Sequence, residues 1–480
     1  MKIFSNIPTG ITYDDVLLVP KRSPVSSRAN VDLSTNLTAK IKLHFPIIPA
    51  NMDTITESQM AVAMAREGSI GIIHRFQSVD NEVGQVKAVK RIEDLILHQP
   101  LILSPSHLLS DVLFQVDRYN TTSFLIIDSQ NKLVGILSQR DYRFTSDLNT
   151  PVSKMMTPFE KMVCASHATS IGEAKRILEK NRLEKLPLIN PDRTLYGLYT
   201  AKDILYFESK PKALRNRDNQ LMVGASIGAT GDYIERAIEL DRAGVDLLLI
   251  DVAHGHADHI LTAIKVIRKK FPKQQIIAGN IATAQAARDL IKAGADAIKV
   301  GIGPGSVCTT RIIAGVGVPQ LSAIYEVAKV CSKTKTPLIA DGGTKNSGDV
   351  VKALAAGANV VMSGNMFAGT DETPGEIVKF NQKSYKFYHG SSTYTVAVSR
   401  NQKGDFGKLA KHQTTRVEGA EGLVLHKGPV ARVIDQLIGG MSSGFSYCGA
   451  LNIKQLRKNA EFVLVTANGI RENSHHDVIV

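Results

Sequence analysis

From about residue 221 onward, short apolar runs alternate with longer segments whose apolar positions recur at helical spacing. The short runs are "DLLLIDVA" (246–253), "QQIIAGNIA" (274–282), "DAIKVGIG" (296–303), "TPLIADGG" (336–343) and "ANVVMSGN" (358–365). Between them lie "ILTAIKVIRKKF", "AARDLIKAGA" and "GDVVKALAAGA". Runs that are apolar throughout predict strands buried on both faces, and the intervening pattern predicts amphipathic helices, so the sheet is parallel. A phrase recurs at the helix ends, "AGVD", "AGAD" and "AGAN", beginning at Ala243, Ala293 and Ala356. Similar βα units in series, with glycines and polar residues gathered after each strand, predict an α/β fold of the (β/α)8 TIM-barrel type, whose strand ends form the active face. An open doubly wound sheet is the alternative.

Residues 92–208 break this rhythm. Here "LVGILSQRD" (133–141) and "LYGLYTAKD" (195–203) repeat at a spacing of 62 residues, each after a helical pattern and a short strand. A duplicated module is expected, its two halves packed on each other because neither alone can bury a good core. The segment before it, "FPIIPANMDTITESQMAVAMAREGSIGIIHRF", already reads as strand, loop, helix, strand. The expected organisation is therefore barrel (1–91), insert (92–208) and the rest of the barrel (209–480).

Composition narrows the function classes. The chain has 480 residues, 43% hydrophobic and 21% charged, as in a globular protein of more than one domain. No apolar run is long enough for a membrane span, and the start lacks the apolar core of a signal peptide, so a cytoplasmic protein without membrane partners is expected. The net charge of +13 suits phosphate-bearing ligands. The basic residues are spread along the chain with no aromatic-interleaved patch, so nucleic acid is not expected as a partner. Four cysteines, Cys164, Cys308, Cys331 and Cys448, are far apart and form no CxxC pair, which argues against disulfides and structural zinc. The first, third and fourth read as packing residues.

Cys308 differs. In "KVGIGPGSVCTT" the strand runs out into glycines, whose permissive backbone lets amides approach an anion closely, and Ser306 adds a hydroxyl. Further clusters, "ADGGT" (340–344) and "MSGN" (362–365), follow the next two strands. Phosphate grips at late barrel strands are recurrent; the plainer reading is that these glycines only turn the chain. A thiol amid such amides is placed to act as a nucleophile, although a lone cysteine also serves as a small core residue.

These stretches, with "GVGVPQ", "FAGTDETPGE" and "ITYDDVLLVP", resemble the IMP dehydrogenase and GMP reductase superfamily over nearly the whole chain. The insert resembles the paired cystathionine-β-synthase-type (CBS) modules of many members. The resemblance implies that Cys308 attacks C2 of a purine nucleotide while a nicotinamide cofactor exchanges hydride with that carbon. Thr310 would handle the proton or leaving group, and Glu418, the third catalytic residue, would lie at the purine edge. Ser306, Gly343, Gly364 and Asn365 would lie near the phosphate, Asp341 at the ribose, and Tyr388 and Gly390 beside the substrate. Asp251, Gly301 and Gly303 would face the cofactor, and carbonyls of Gly303, Gly305 and Cys308 would hold a potassium ion. In the insert, Ser138 with Asp141 and Thr200 with Asp203 would bind ATP or GTP; the alternative is that both aspartates only cap helices. A homotetramer or octamer is implied.

The superfamily's dehydrogenases hydrolyse the covalent intermediate with an Arg-Tyr pair on a flap, which reductases lack. Counting from Tyr388 to Glu418 places Gly404 and Asp405 at that pair, and neither Arg400 nor Arg416 precedes a tyrosine. "PANMDT", "IDVAHGH" and "GSS" look reductase-like; the long flap, the insert and "RENSHHDV" look dehydrogenase-like. GMP reductase with NADPH is the leading expectation, IMP dehydrogenase with NAD the alternative, and a non-catalytic nucleotide sensor the third. The histidines of "HGHADH" (254–259) fall in a loop resembling the cofactor pocket and are not taken as metal ligands. His475 and His476 are read as part of a tail reaching a neighbouring subunit.

Overall fold

The computed structural model describes residues 7–92, 96–98, 100–119, 121–390 and 419–473. The chain divides into two compact units, 1–92 with 212–480, and 93–211.

The larger unit is built on eight parallel strands: β1 (Ile47–Pro49), β2 (Ile72–Ile73), β3 (Gly224–Ile227), β4 (Leu247–Asp251), β5 (Gln275–Ile281), β6 (Ala297–Val300), β7 (Leu338–Asp341) and β8 (Val360–Ser363). Their hydrogen-bonded order is β2-β3-β4-β5-β6-β7-β8-β1. Strand β8 pairs with β1 in the register Val361↔Ile47 and Met362↔Ile48. A doubly wound sheet reverses its order and leaves the first strand inside, so pairing of last with first defines a (β/α)8 barrel.

Helices follow the strands: α1 (Ser58–Arg66), α2 (Val79–Arg91), α3 (Tyr233–Arg242), α4 (Asp258–Lys270), α5 (Ala284–Ala293), α6 (Gln320–Thr334), α7 (Ser347–Ala355) and, after the flap, α8 (Val430–Tyr447). The recurring phrase at helix ends does two jobs. Its glycines stop the helices in the left-handed region, at φ +82° for Gly244, +116° for Gly294 and +120° for Gly357. Its last residue reaches back to the start of the preceding strand: Asp246 accepts from the Val223 amide (2.7 Å), Asp296 from Ile276 (2.8 Å) and Asn359 from Leu338 (3.1 Å).

Strand alternation divides the core in two. Leu247, Leu249, Ile277, Ala297, Ile339, Val360 and Met362 point into the barrel. Leu248, Ile250, Ile276, Ala278, Ile298, Leu338 and Val361 pack outward against the helices. Continuing that alternation to the strand ends places Asp251, Lys299 and Asp341 inside the barrel mouth.

Beyond β8, strands Val378–Phe380, Lys383–His389 and Glu421–Leu425 form a small antiparallel sheet from which the flap leaves and to which it returns. The smaller unit is a structural repeat. Helix Leu109–Tyr119, strands Ser123–Ile127 and Leu133–Ser138, and helix Gln139–Tyr142 recur 62 positions on as Ile171–Asn181, Lys185–Ile189, Leu195–Thr200 and Ala201–Ser209.

Candidate active site

The barrel mouth opens on a cavity of about 410 Å³, within the size range of small-molecule sites. Every barrel residue singled out from the sequence lines it: Asp251, Gly301, Gly303, Gly305, Ser306, Cys308, Thr310, Asp341, Gly343, Gly364, Asn365, Tyr388 and Gly390. Glu418 lies outside the described residues, as do Arg400, Gly404, Asp405, Arg416, His475 and His476.

The cysteine loop can sit here because β6 ends in a residue without a side chain. A Cβ on Gly301 would fall 2.1 Å from the Asp341 carbonyl oxygen, so only glycine lets the loop cross β7 this closely. The Cys308 amide then donates to the Gly305 carbonyl (3.1 Å), and its thiol donates to Thr310 Oγ1 (3.2 Å). The far end of the flap returns beside it: Cys308 and Gly419 form an antiparallel bridge, and the Ala420 amide donates to the Val307 carbonyl (2.8 Å).

Gly342 and Gly343 turn the chain at φ +89° and +83° and lie against Pro304 and Gly305 of the cysteine loop. Tyr388 reaches in from the small sheet, its hydroxyl 3.3 Å from Ser306 Oγ, and burial pushes its phenol above the ordinary value. A Cβ on Gly364 would come within 2.6 Å of that hydroxyl, so this glycine makes room for the tyrosine.

The sequence reading missed the centre of the site. Lys299, 2% exposed, stands between Asp251 Oδ1 (2.9 Å) and Asp341 Oδ2 (2.5 Å). Burial alone would lower its ammonium, but the two carboxylates outweigh that and hold it above the usual lysine value. Asp251 feels burial in the opposite sense, yet Lys299 and Asn51 hold it below the usual carboxylate range; Asn51 Nδ2 donates to its Oδ2 (3.0 Å). Asn280 Nδ2 donates to the Gly301 carbonyl (2.8 Å) and to Asp341 Oδ2 (2.9 Å). Gly279 leaves space for the lysine, since a Cβ there would lie 2.6 Å from Lys299 Cβ. The signal was a charged residue inside the apolar run "DAIKVGIG". Arg75 and Phe76 also line the cavity, beside Asp251–Ala253.

Two other features are locally satisfied. His256 pairs with Asp289 (2.9 Å), and among the described residues no cluster of three His, Cys, Asp or Glu could hold a metal ion. In the smaller unit Ser138 and Asp141 bond one another (2.7 Å) in a capping box, and the Asp203 amide donates to Thr200 Oγ1 (3.1 Å). Both pairs cap the helices that follow them. Among the described residues no helix is long and apolar enough to cross a membrane.

A glycine-walled cavity at the mouth of a (β/α)8 barrel, lined by a free thiol and a carboxylate–lysine–carboxylate array, defines the class of protein. The chain belongs to the IMP dehydrogenase / GMP reductase family, whose domain matches residues 10–476. It is 44% identical to inosine-5′-monophosphate dehydrogenase of Nitrosopumilus maritimus, over 98% of this chain and 99% of that protein. It is 45% identical to the enzyme of that name from Bacillus subtilis, over 98% and 96%. Among solved structures, a cysteine-to-alanine variant of Trypanosoma brucei GMP reductase with guanosine 5′-monophosphate aligns at a TM-score of 0.89 and 38% identity, covering 99% of both chains. The same organism's GMP reductase with guanosine 5′-triphosphate aligns at 0.78 and 36%, over 97% of this chain and 100% of the other. The protein is a purine nucleotide oxidoreductase of this family, which uses nicotinamide cofactors.

Proposed function

We propose that the protein is a GMP reductase that converts GMP and NADPH to IMP, ammonia and NADP through a covalent bond from Cys308 to purine C2. The observation that carries the direction is the flap sequence, where Gly404 and Asp405 stand in place of an Arg-Tyr pair that would activate water. Residues 391–418 contain no arginine followed by tyrosine.

The Cys308 thiolate adds to C2 of GMP, the C2–N bond breaks, and the exocyclic amine leaves as ammonia once protonated. Thr310, 3.2 Å from the thiol, relays protons there, with Glu418 supplying the acid. A reduced nicotinamide, when bound, supplies the hydride to C2. The C2–S bond then breaks, releasing IMP and the thiolate. Ser306, Gly343, Gly364, Asn365 and Tyr388 hold the phosphate and Asp341 the ribose. Asp251, Gly301 and Gly303, which line the cavity, would face the nicotinamide riboside. Carbonyls of Gly303, Gly305 and Cys308 would hold a potassium ion, whose charge would order the loop.

A second reading is IMP dehydrogenase acting with NAD. The names of the relatives at 44–45% identity favour it over the first. Full-length identity, however, weighs every position alike, whereas the direction turns on two flap residues. We further propose that 92–208 is a tandem CBS module binding ATP or GTP, that the protein is cytoplasmic, and that it assembles as a tetramer or octamer.

The test follows absorbance at 340 nm with purified protein. GMP with NADPH is expected to turn over at least tenfold faster than IMP with NAD, and Cys308→Ala is expected to abolish both. NADH formation from IMP at an equal or greater rate sets the dehydrogenase reading in its place. More than a few per cent activity in the Cys308 variant removes the covalent step.

A further inference from the structure

The turn that follows β8 is gripped from behind by a lysine. After Ser363 the chain closes into one helix-like turn, in which the Phe367 and Ala368 amides both donate to the Gly364 carbonyl (3.1 and 2.8 Å). The near end of this turn, Ser363–Asn365, lines the main cavity. Carbonyls at the far end of such a turn need partners from outside it. Lys427 supplies one: its Nζ donates to the Asn365 (2.7 Å) and Met366 (3.1 Å) carbonyls.

Lys427 stands two residues past strand Glu421–Leu425, on the returning arm of the flap, and its own amide donates to the Gly369 carbonyl (2.8 Å). The same arm begins at the thiol loop, where Gly419 bridges Cys308 and the Ala420 amide meets the Val307 carbonyl. One stretch of chain therefore touches the thiol loop at its start and the turn after β8 at its end. Packing alone does not call for an ammonium at that end. Lys427 is half-buried, and burial pushes its ammonium below the ordinary lysine value with no carboxylate opposing the shift. The acids of this junction are engaged elsewhere, Asp371 with His426 (2.6 Å) and Glu372 with the Val430 amide (2.8 Å). The other lysine here, Lys386, donates to the Asp371 (3.1 Å) and Thr373 (2.7 Å) carbonyls. A methionine would fill the space of Lys427 without the cost of burying a charge, whereas an ammonium holds two carbonyls by charge-assisted bonds.

We propose that Lys427 is a positioning residue: it clamps the turn after β8 to the returning arm of the flap and so keeps the Ser363–Asn365 wall of the cavity in place for nucleotide binding. This rests on the reading that a purine nucleotide occupies that cavity.

Calorimetry of GMP binding to the full chain from pH 7 to pH 10, with kcat alongside, tests it on the wild type, Lys427→Met and Lys427→Arg. At pH 7 Lys427→Met is expected to weaken GMP about tenfold, the range for loss of a charged hydrogen-bond donor, with kcat within threefold. Lys427→Arg is expected to restore most of that affinity. The sign of the pH effect follows from the ammonium, whose clamp is complete at neutral pH and is lost as pH rises through its depressed value. Wild-type affinity should therefore fall toward that of Lys427→Met in alkali, while Lys427→Arg, whose guanidinium does not titrate there, keeps its advantage. A purely structural lysine would not produce this convergence. Unchanged GMP binding by Lys427→Met, failure of arginine to restore it, or a wild-type profile parallel to that of Lys427→Arg overturns the proposal. If Lys427→Met does not fold, the comparison of wild type with Lys427→Arg decides on the same terms. If GMP binds in the expected pattern but neither purine nucleotide is turned over, the role of Lys427 stands and the catalytic reading falls. If the wild type binds no GMP, both fall.

Discussion

The charged group at the centre of the site is the one whose removal has the clearest physical consequence. Lys299 bridges two carboxylates at the barrel mouth, and taking away one partner of a buried charge cluster costs about 3–5 kcal/mol because the others are left uncompensated. Lys299→Met is therefore expected to lower the unfolding free energy of the barrel by about that amount at pH 7, measured in denaturant. The pH dependence has two limits. Asp251 is held below its ordinary range, so its contribution is complete above about pH 4 and is lost as pH falls through the depressed value. Lys299 is held above its ordinary range, so its contribution is complete below about pH 10 and is lost as pH rises through the elevated value. The gap between wild type and variant should be widest between those limits and shrink in acid. A gap that is independent of pH counts against the array as a stabilising pair of ion bonds.

Among the elements, the junction of β6 with the cysteine loop is held to a narrow tolerance. The Asp341 carbonyl oxygen lies 2.1 Å from where a Cβ on Gly301 would be. Gly301→Ala must displace the loop by an ångström or more, and a misplacement of that size costs about a hundredfold in rate. The expected result is a hundredfold fall in kcat with the circular dichroism spectrum of the wild type. Wild-type turnover in this variant means the loop does not need its observed approach to β7. The three helix-end phrases show how a repeated sequence becomes a repeated contact, each Asp or Asn tying its own strand to the one before. They are legible as a repeat in the sequence. That their last residues bond the preceding strand is not, because those partners lie about 20 residues away.

At the scale of the whole molecule, the chain leaves the barrel after α2 and returns before β3, with the duplicated unit in between. The hydroxyl–aspartate pairs are spent on helix caps in this structure, which is the plainer of the two readings the repeat allowed. A cap and a nucleotide contact are compatible if the ligand takes the free lone pairs, and a ligand there changes catalysis only by binding two global states differently. ATP or GTP is expected to shift turnover or assembly of the full chain. Asp141→Ala with Asp203→Ala should remove the shift and spare basal turnover, since the N-cap residues Ser138 and Thr200 are kept. Light scattering and assay with and without nucleotide check this. A double variant that still responds like the wild type assigns both aspartates to capping alone.

By itself the sequence determined what depends on neighbours along the chain. Apolar runs and helical spacing specify strands and helices, serial βα units specify a barrel, and glycines after strands mark the face where a ligand approaches. Cys308 was legible for the same reason, as a thiol embedded in a local glycine pattern, and the fold sets it on the cavity wall. The tertiary structure alone decided which distant groups share a point in space. Asp251, Lys299 and Asp341 lie on three different strands, and only barrel closure with its in–out alternation turns them into one array. Only the fold reveals that Ser138 and Thr200 are engaged at helix caps. Burial and hydrogen-bond satisfaction are sums over every neighbour in three dimensions, and a linear pattern carries just the part of that sum that is local.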